Sequence, residues 1–328
     1  MFPAQHPTAD RALAALESMF REMGAAIVCY SGGVDSALML AIATRALGDK
    51  AIGMTAVSPS LARADLDDAT SLAERIGAVH RLVESHEIDD PSYQRNAPDR
   101  CFHCKSELYS IAEKKRAEWG VEHVVNGTNV DDLGDYRPGL EAAKNAGVRS
   151  PLVELGLGKA AVREIAALLD LPVWDRPASA CLSSRIPFGT TVTPERLSMI
   201  ERFEAGLRTL GFRQLRVRYH VLPGPDPLRG GGGGGGAPSD DGRSELASGP
   251  EGGALRNRAS LRASTDEIAF ARVEVGAAEL ARAASPEIAP RIDAMGRDIG
   301  FAYVTLDLGG YRMGSHNEVL KRRLSVVS

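Results

Sequence analysis

The chain is short of the features that would place it in a bilayer, a secreted scaffold or a nucleic-acid complex. No run of about eighteen apolar residues occurs, so no segment reads as a membrane-spanning helix. The opening stretch MFPAQHPTADRALAALESMF holds an acid and early prolines and has no signal-peptide cleavage pattern. Cysteine is scarce. Four in 328 residues cannot staple a disulfide scaffold, which predicts a cytoplasmic protein whose thiols are structural, metal-binding or catalytic. An excess of positive charge is also missing: 39 Lys and Arg against 43 Asp and Glu leave a net charge of −4, which argues against general binding to nucleic acid or to a membrane surface. What the chain does have is 44% hydrophobic residues, enough for one large or two ordinary cores.

The stretch VCYSGGVDSALML, residues 28–40, carries the first positive signal. Ala26, Ile27, Val28, Cys29 and Tyr30 read as a buried strand that empties into Ser31-Gly32-Gly33 ahead of a helix-like pattern. Unpaired backbone N–H groups then gather at a helix start and form an anion site, with the hydroxyls of Ser31 and Ser36 as further donors. Two adjacent glycines let the backbone approach a ligand with no Cβ in the way. A bare SGG is more often an ordinary turn, but the full string is more specific. It lacks the Lys of a Walker loop and the third glycine of a dinucleotide fingerprint. SGGVDS resembles the PP-loop of the ATP pyrophosphatase superfamily. That resemblance implies cleavage of ATP between its α and β phosphates, with Ser31, Gly32, Gly33, Asp35 and Ser36 around the nucleotide.

From residue 25 to about 173, strand-like runs (AAIVCY, AIGMTAV, AVHRLVES, HVVNGT) alternate with helical ones at 36–47, 63–76 and 106–119 and in KAAVREIAALLDL. This predicts an α/β fold with a parallel sheet covered on both faces, and ligands at the carboxyl ends of the strands, where the SGG turn falls. Residues 1–187 are expected to form the PP-loop domain, similar to the adenine nucleotide α-hydrolases. Residues 188–328 are expected to form a smaller α+β domain for substrate binding and oligomerisation, with a helix at 194–210 and strands in FRQLRVRYH, ARVEVG and AYVTLDLGGYR. A Gly/Pro-rich segment at about 222–262 interrupts it and is too poor in apolar residues to order itself. Strand-like segments flank that segment, so it reads as an insertion lengthening a connection between neighbouring strands.

Three further segments could carry chemistry. In HVVNGTNVDD the strand ends at Asn126-Gly127-Thr128-Asn129, with Asp131 and Asp132 following. Acids at the phosphate edge suit Mg²⁺, with Asp35 and Asp132 as candidate ligands, although the same residues would equally serve as a turn and a helix cap. NAD synthetase is similar in carrying a GTN-acidic segment, which adds Thr128 to the ATP contacts. In PASACLSSRIPFG, Cys181 lies in a Pro-bounded loop with Arg185 four residues on, and nearby positive charge favours a thiolate. In RCFHCK, Cys101 and Cys104 read as half a zinc site or a redox pair, with His103 as a solvated loop histidine. Arg216 and Arg218 alternate on LRVRYH, so both face one side of a strand, either toward an anion or as a solvated face matched by acids.

Read in order, SGGVDS, GTNVDD, RPGLEAAKNAGVRSPL, ACLSSRIPFG, RVRYH, ARVEV and VTLDLGGYRMGSHN resemble the LarE family of ATP-dependent sulfur transferases over nearly the whole chain apart from the Gly-rich insertion. The resemblance implies adenylation of a carboxylate of pyridinium-3,5-biscarboxylic acid mononucleotide and its conversion to a thiocarboxylate, a step toward the nickel-pincer cofactor of lactate racemase. It makes Cys181 the sulfur-bearing residue, sacrificed to dehydroalanine in one version. In the other version Cys101, Cys104 and Cys181 hold a [4Fe-4S] cluster that supplies the sulfur. It places Glu204, Arg216, Arg218, Glu274 and Arg312 at a substrate-phosphate site, and it implies a homo-oligomer, a ring-like hexamer.

Two other readings stay open at the level of sequence. The PP-loop would also suit a tRNA thiolation enzyme, against which stand the net acidity and the absence of a recognisable RNA-binding appendage. A non-catalytic nucleotide- or metal-binding module would need only ATP and the cysteines.

Overall fold

A computed structural model describes residues 8–134, 138–177, 179–223 and 267–312. Strands β1 (Ala26–Cys29), β2 (Ala51–Val57), β3 (Val79–Glu84) and β4 (His123–Val125) form a parallel sheet in the order β3-β2-β1-β4. The register pairs Ala26 with Ala51 on one side and with His123 on the other, which puts β1 in the interior of the sheet. All four of its residues are buried, the continuous apolar run expected of a strand covered on both faces.

The helices that supply this cover are α1 (Ala9–Met23), α2 (Val34–Leu47), α3 (Arg63–Ile76), α4 (Pro91–Gln94), α5 (Arg100–Glu118), α6 (Pro138–Asn145), α7 (Pro151–Glu154) and α8 (Lys159–Leu168). Successive β1 side chains point to opposite faces. Ala26 and Val28 join Leu16 and Phe20 of α1, Leu38 and Ile42 of α2 and Ile165 of α8 in one core. Ile27 and Cys29 join Met54, Val83, Tyr109 of α5 and Ala142 of α6 in another. Because α2 is packed between β1 and neighbouring helices, residues 36–43 are all buried, and the start of this helix is held rigidly at the carboxyl end of β1.

The rest of the described chain builds a three-stranded sheet, β5 (Leu215–Pro223), β6 (Glu267–Val275) and β7 (Tyr303–Leu306), with α9 (Pro194–Thr209), α10 (Leu280–Ala283) and α11 (Ala289–Ile299). β5 and β6 are antiparallel neighbours paired from Leu215–Val275 to Pro223–Glu267, whereas β6 and β7 run parallel. Leu222 and Pro223 are therefore strand residues, and the remainder of the expected insertion lies outside the described residues. So do the last residues of the VTLDLGGYRMGSHN string. Phe203, Tyr219 and Phe301 centre the core of this part. The same core takes in Ala62, Ile88 and Tyr93 from the loops beyond β2 and β3, and Leu182 and Ile186 from the segment after Cys181. Among the described residues no helix is long and apolar enough to cross a membrane.

Candidate active site

The SGGVDS turn joins β1 to α2 at the carboxyl edge of the parallel sheet. Gly32 has φ +75°, and a Cβ there would stand 2.8 Å from the Ala69 Cβ, so the turn admits only glycine without strain. Ser36 folds the turn on itself: its Oγ donates to the Gly33 carbonyl at 3.0 Å, accepts from the Ser31 N–H at 3.1 Å and meets the Ser31 Oγ at 3.1 Å. Gly33 caps α2 with no side-chain hydrogen bond. Among the described residues the first-turn N–H groups therefore lack a side-chain cap, the arrangement that attracts an anion.

The NGTN turn packs directly on this loop. A Cβ on Gly127 would stand 2.8 Å from the Asp35 carbonyl carbon and from the Ser36 nitrogen, so the two turns touch backbone to backbone. The Asn126 Oδ1 accepts from the Thr128 N–H at 3.0 Å, holding Thr128 half-buried on the turn. The Asn129 Nδ2 donates to the Asp35 Oδ1 at 3.1 Å, while Asp35 Oδ2 takes the ammonium of Lys159. Asp132 accepts from the Asn129 N–H at 3.1 Å, and Asp131 accepts from the Lys159 N–H at 2.6 Å at the first residue of α8. The Asp pair thus does capping work as placed, and Asp35 is the carboxylate at the phosphate turn itself. Lys159 and Asn129 both reach Asp35, although the sequence singled out neither as a candidate ligand. Their signal was the helix start in LGLGKAAV and the second Asn of NGTN, neither of which names a partner 94 to 124 residues away.

Cys181 is exposed and precedes a short helical turn, Leu182–Arg185. The Leu182 N–H donates to the Ser60 carbonyl at 2.9 Å, just beyond the end of β2, so the cysteine loop is pinned to the same sheet edge as the PP-loop. Arg185 does not offer a free charge. It forks onto Glu204 at 2.9 and 3.2 Å and donates to the carbonyls of Ala180 and Cys181, the latter at 3.0 Å. Its main task is to shape the loop. From the other side Asn96, fully buried at φ +54°, donates to the carbonyls of Pro187 and Thr190 at 2.8 and 2.9 Å. Arg100 bridges the Asn96 Oδ1 at 2.6 Å and the Ser183 carbonyl at 2.8 Å.

Arg100 is also the first residue of α5, and this corrects the reading of the CxxC segment. The helix begins six residues before the expected 106, so Cys101 and Cys104 lie one turn apart on α5 rather than in a loop. His103 is helical too, 23% exposed, with its two ring nitrogens 3.6 Å from Asp90 and Asp99. The cause is tertiary: the buried guanidinium of Arg100, with no apolar periodicity to announce it, anchors the helix start. Burial first, then the neighbouring Cys181, push the Cys104 thiol up to about 12, against the pull of Lys105; Glu87 and Cys101 add to the rise. Cys29, inside β1, is pushed by burial to about 11. Cys104 thus lies within electrostatic reach of both Cys181 and Cys101. Three thiols are the right kind of donor for an iron–sulfur cluster, yet among the described residues no three His, Cys, Asp or Glu side chains are placed to hold a metal ion.

The expected substrate-phosphate residues separate into two kinds. Glu204 and Glu274 are fully buried, Glu204 paired with Arg185 and accepting from the Val217 N–H at 3.0 Å, Glu274 forked by Arg218 at 3.1 Å on both oxygens. Arg218 also donates to the Ser184 carbonyl at 2.9 Å, which ties β5 to the cysteine loop. Arg216, paired in register with Glu274, instead lays its guanidinium over the Tyr311 ring at 4.6 Å. Burial, with Arg185 and Arg218 nearby, lowers its pKa. Arg312 is exposed, 3.9 Å from Asp307.

A parallel sheet with an SGGVDS turn at its carboxyl edge and a GTN turn packed against it defines a PP-loop protein. In agreement, the NAD synthase family model matches residues 10–115. The chain is 32% identical over 310 residues to the pyridinium-3,5-bisthiocarboxylic acid mononucleotide synthase of Lactiplantibacillus plantarum, covering 94% of this chain and 95% of that one. It is 39% identical over 307 residues to an uncharacterized protein of Synechocystis sp., covering 94% and 97%. A more distant likeness, 26% over 219 residues, is to the glutamine-hydrolyzing GMP synthase of Aeropyrum pernix, covering 59% of this chain and 41% of that one. The chain belongs to the LarE family, a branch of the ATP-using PP-loop enzymes.

Proposed function

We propose that this protein is an ATP-dependent sulfur transferase that converts a carboxylate of pyridinium-3,5-biscarboxylic acid mononucleotide to a thiocarboxylate for nickel-pincer cofactor synthesis. The observation that carries the reading is the hydrogen bond from Leu182 to Ser60, which holds Cys181 at the sheet edge where the PP-loop opens. A phosphate-binding turn and an exposed thiol then share one ligand-facing side of the molecule.

The substrate carboxylate attacks the α-phosphorus of ATP and pyrophosphate leaves. The departing pyrophosphate lies in the cradle of Ser31, Gly32, Gly33 and Ser36, whose donors take up the developing charge. Thr128 flanks the nucleotide. Asp35 and Asp132 are oxygen donors of the kind Mg²⁺ accepts alongside substrate phosphates, and Lys159 supplies a second cation at Asp35. The Cys181 sulfur next attacks the acyl carbon and AMP leaves with the C–O bond electrons. Loss of the Cys181 Cα proton and breakage of its Cβ–S bond releases the thiocarboxylate and leaves dehydroalanine. Exposed Arg312 is the residue offered to the substrate phosphate, with Arg216, buried against Tyr311 and in no ion pair among the described residues, behind it; Arg218, Glu204 and Glu274 serve by holding β5 and the cysteine loop around them. Residues 1–187 and 188–328 act as nucleotide and substrate domains of a cytoplasmic homo-oligomer, a hexamer by family resemblance.

A second reading gives Cys101, Cys104 and Cys181 to a [4Fe-4S] cluster as the sulfur source, favoured by the reach of both Cys181 and Cys101 to the Cys104 thiol. Intact mass separates the two. A sacrificed Cys181 yields about one thiocarboxylate per chain and a mass loss of about 34 Da, the equivalent of H₂S. Turnover beyond one per chain with unchanged mass, together with iron and sulfide bound by anaerobically purified protein and lost on Cys101→Ala, supports the cluster. Thiocarboxylate formed at the wild-type rate by Cys181→Ala overturns both.

A further inference from the structure

Just past the carboxyl ends of β2 and β3 lies a buried carboxylate to which sulfur transfer assigns no task. Glu87 is 3% exposed. Its Oε1 accepts from the hydroxyls of Ser58 at 2.5 Å and Ser60 at 2.6 Å, and its Oε2 accepts from that of Ser85 at 2.6 Å. Among the described residues no cation pairs with it. Ser58 and Ser60 also meet Oγ to Oγ at 2.8 Å, so the carboxylate and the three hydroxyls form one cluster.

This matters for Ser60. Its carbonyl holds the Leu182 N–H at 2.9 Å. The Tyr93 hydroxyl lies 2.5 Å from the Ser183 Oγ. The two residues that follow Cys181 are thereby fixed, Leu182 by its backbone on the serine that Glu87 holds and Ser183 by its side chain on Tyr93.

We infer that Glu87 is a positioning residue for Cys181: it holds Ser60, whose carbonyl holds Leu182, and so sets where the sulfur stands over the edge of the sheet. The consequence for turnover rests on the sulfur-transfer reading; the effect on the cysteine does not. Glu87→Gln preserves size but brings an NH₂ donor, so at least one serine proton must turn round. In the full-length protein, alkylation of each cysteine by iodoacetamide is followed by peptide mass spectrometry, beside pyrophosphate and thiocarboxylate released from the same sample. The expected result is a change of about fivefold or more in Cys181 alkylation with Cys101 unaffected, pyrophosphate release within about twofold, and thiocarboxylate per pyrophosphate down about tenfold or more, because a nucleophile displaced by a fraction of an ångström loses its attack geometry. Ser60→Ala, which keeps the Leu182 bond, gives the same split, and Glu87→Asp recovers part of it.

Wild-type alkylation and coupling in both Glu87→Gln and Ser60→Ala overturn the inference. So does a parallel fall of pyrophosphate, thiocarboxylate and melting temperature in both, which marks a structural role alone. If Cys181→Ala makes thiocarboxylate, the sulfur-transfer reading has failed, while a Cys181-selective change in alkylation in Glu87→Gln still upholds the positioning role.

Discussion

At the carboxyl edge of the parallel sheet, Asp35 and Lys159 face each other with 25% and 32% of their side chains exposed; beside the second sheet, Glu204 meets Arg185 and Glu274 meets Arg218, each of these four side chains 6% exposed or less. The first pair can exchange partners with an incoming phosphate or metal ion, because water and ligand reach both charges. The second kind cannot. Withdrawing one member would strand the other in a low-dielectric interior, so those charges hold the cysteine loop and β5 in place instead of reaching for substrate. Residues of the same chemical type thus divide into ligand-facing and scaffold roles according to what surrounds them.

Three experiments press on that contrast. The largest effect is expected from the buried side: Glu204→Ala leaves Arg185 unpaired and the Val217 N–H without its acceptor, and stability falls by about 3–5 kcal/mol in urea unfolding. A loss below about 1 kcal/mol would mean the pair is not the internal strut described above. On the exposed side, Lys159→Met leaves stability within about 1 kcal/mol of wild type, since a part-exposed pair contributes little. Pyrophosphate release by the same variant drops about 100-fold, as expected when a cation near the departing charge is removed. Normal release would take Lys159 out of the nucleotide site.

The smallest effect concerns His220, stacked on Phe270 with ring centroids 4.9 Å apart. Burial, then Arg272 and Arg218, hold its pKa down at about 4, below the ordinary 6.5. Folding therefore excludes a proton that the unfolded chain binds. The contribution is fully present above pH 6.5 and is lost as the pH falls toward 4. His220→Gln should reduce the acid-side loss of stability by about 1 kcal/mol. An unchanged slope between pH 6.5 and 4 would show that the charges around His220 do not act on it.

Much of the parallel sheet was legible beforehand, because a buried strand, a glycine turn and an apolar helix are written in neighbouring residues. AIVC, AIGMTAV and HVV are strands at or near their expected limits, and SGGVDS falls where a ligand-binding turn should. The first helix, ADRALAALESMFREM, was not among the expected elements, although Ala12, Leu16, Phe20 and Met23 mark one buried stripe; it precedes the first strand and so falls outside the alternation that flags the others. The start of α5 was missed for a different reason. RCFHCK has no helical stripe, and its helix is nucleated by Arg100 reaching Asn96 and Ser183.

Composition, turn chemistry and local periodicity determined the α/β class and the glycine turn at the sheet edge, since each depends on residues within a few positions of one another. Only the tertiary structure decided which charges are available. Nothing in LRVRYH distinguishes Arg218, locked onto Glu274 and the Ser184 carbonyl, from Arg216, laid on Tyr311. Nothing in LGLGK points to Asp35, or in SHEID to three serine hydroxyls. A side chain's partners come from segments brought together by packing, and burial sets whether a charge is offered to a ligand or spent inside the fold.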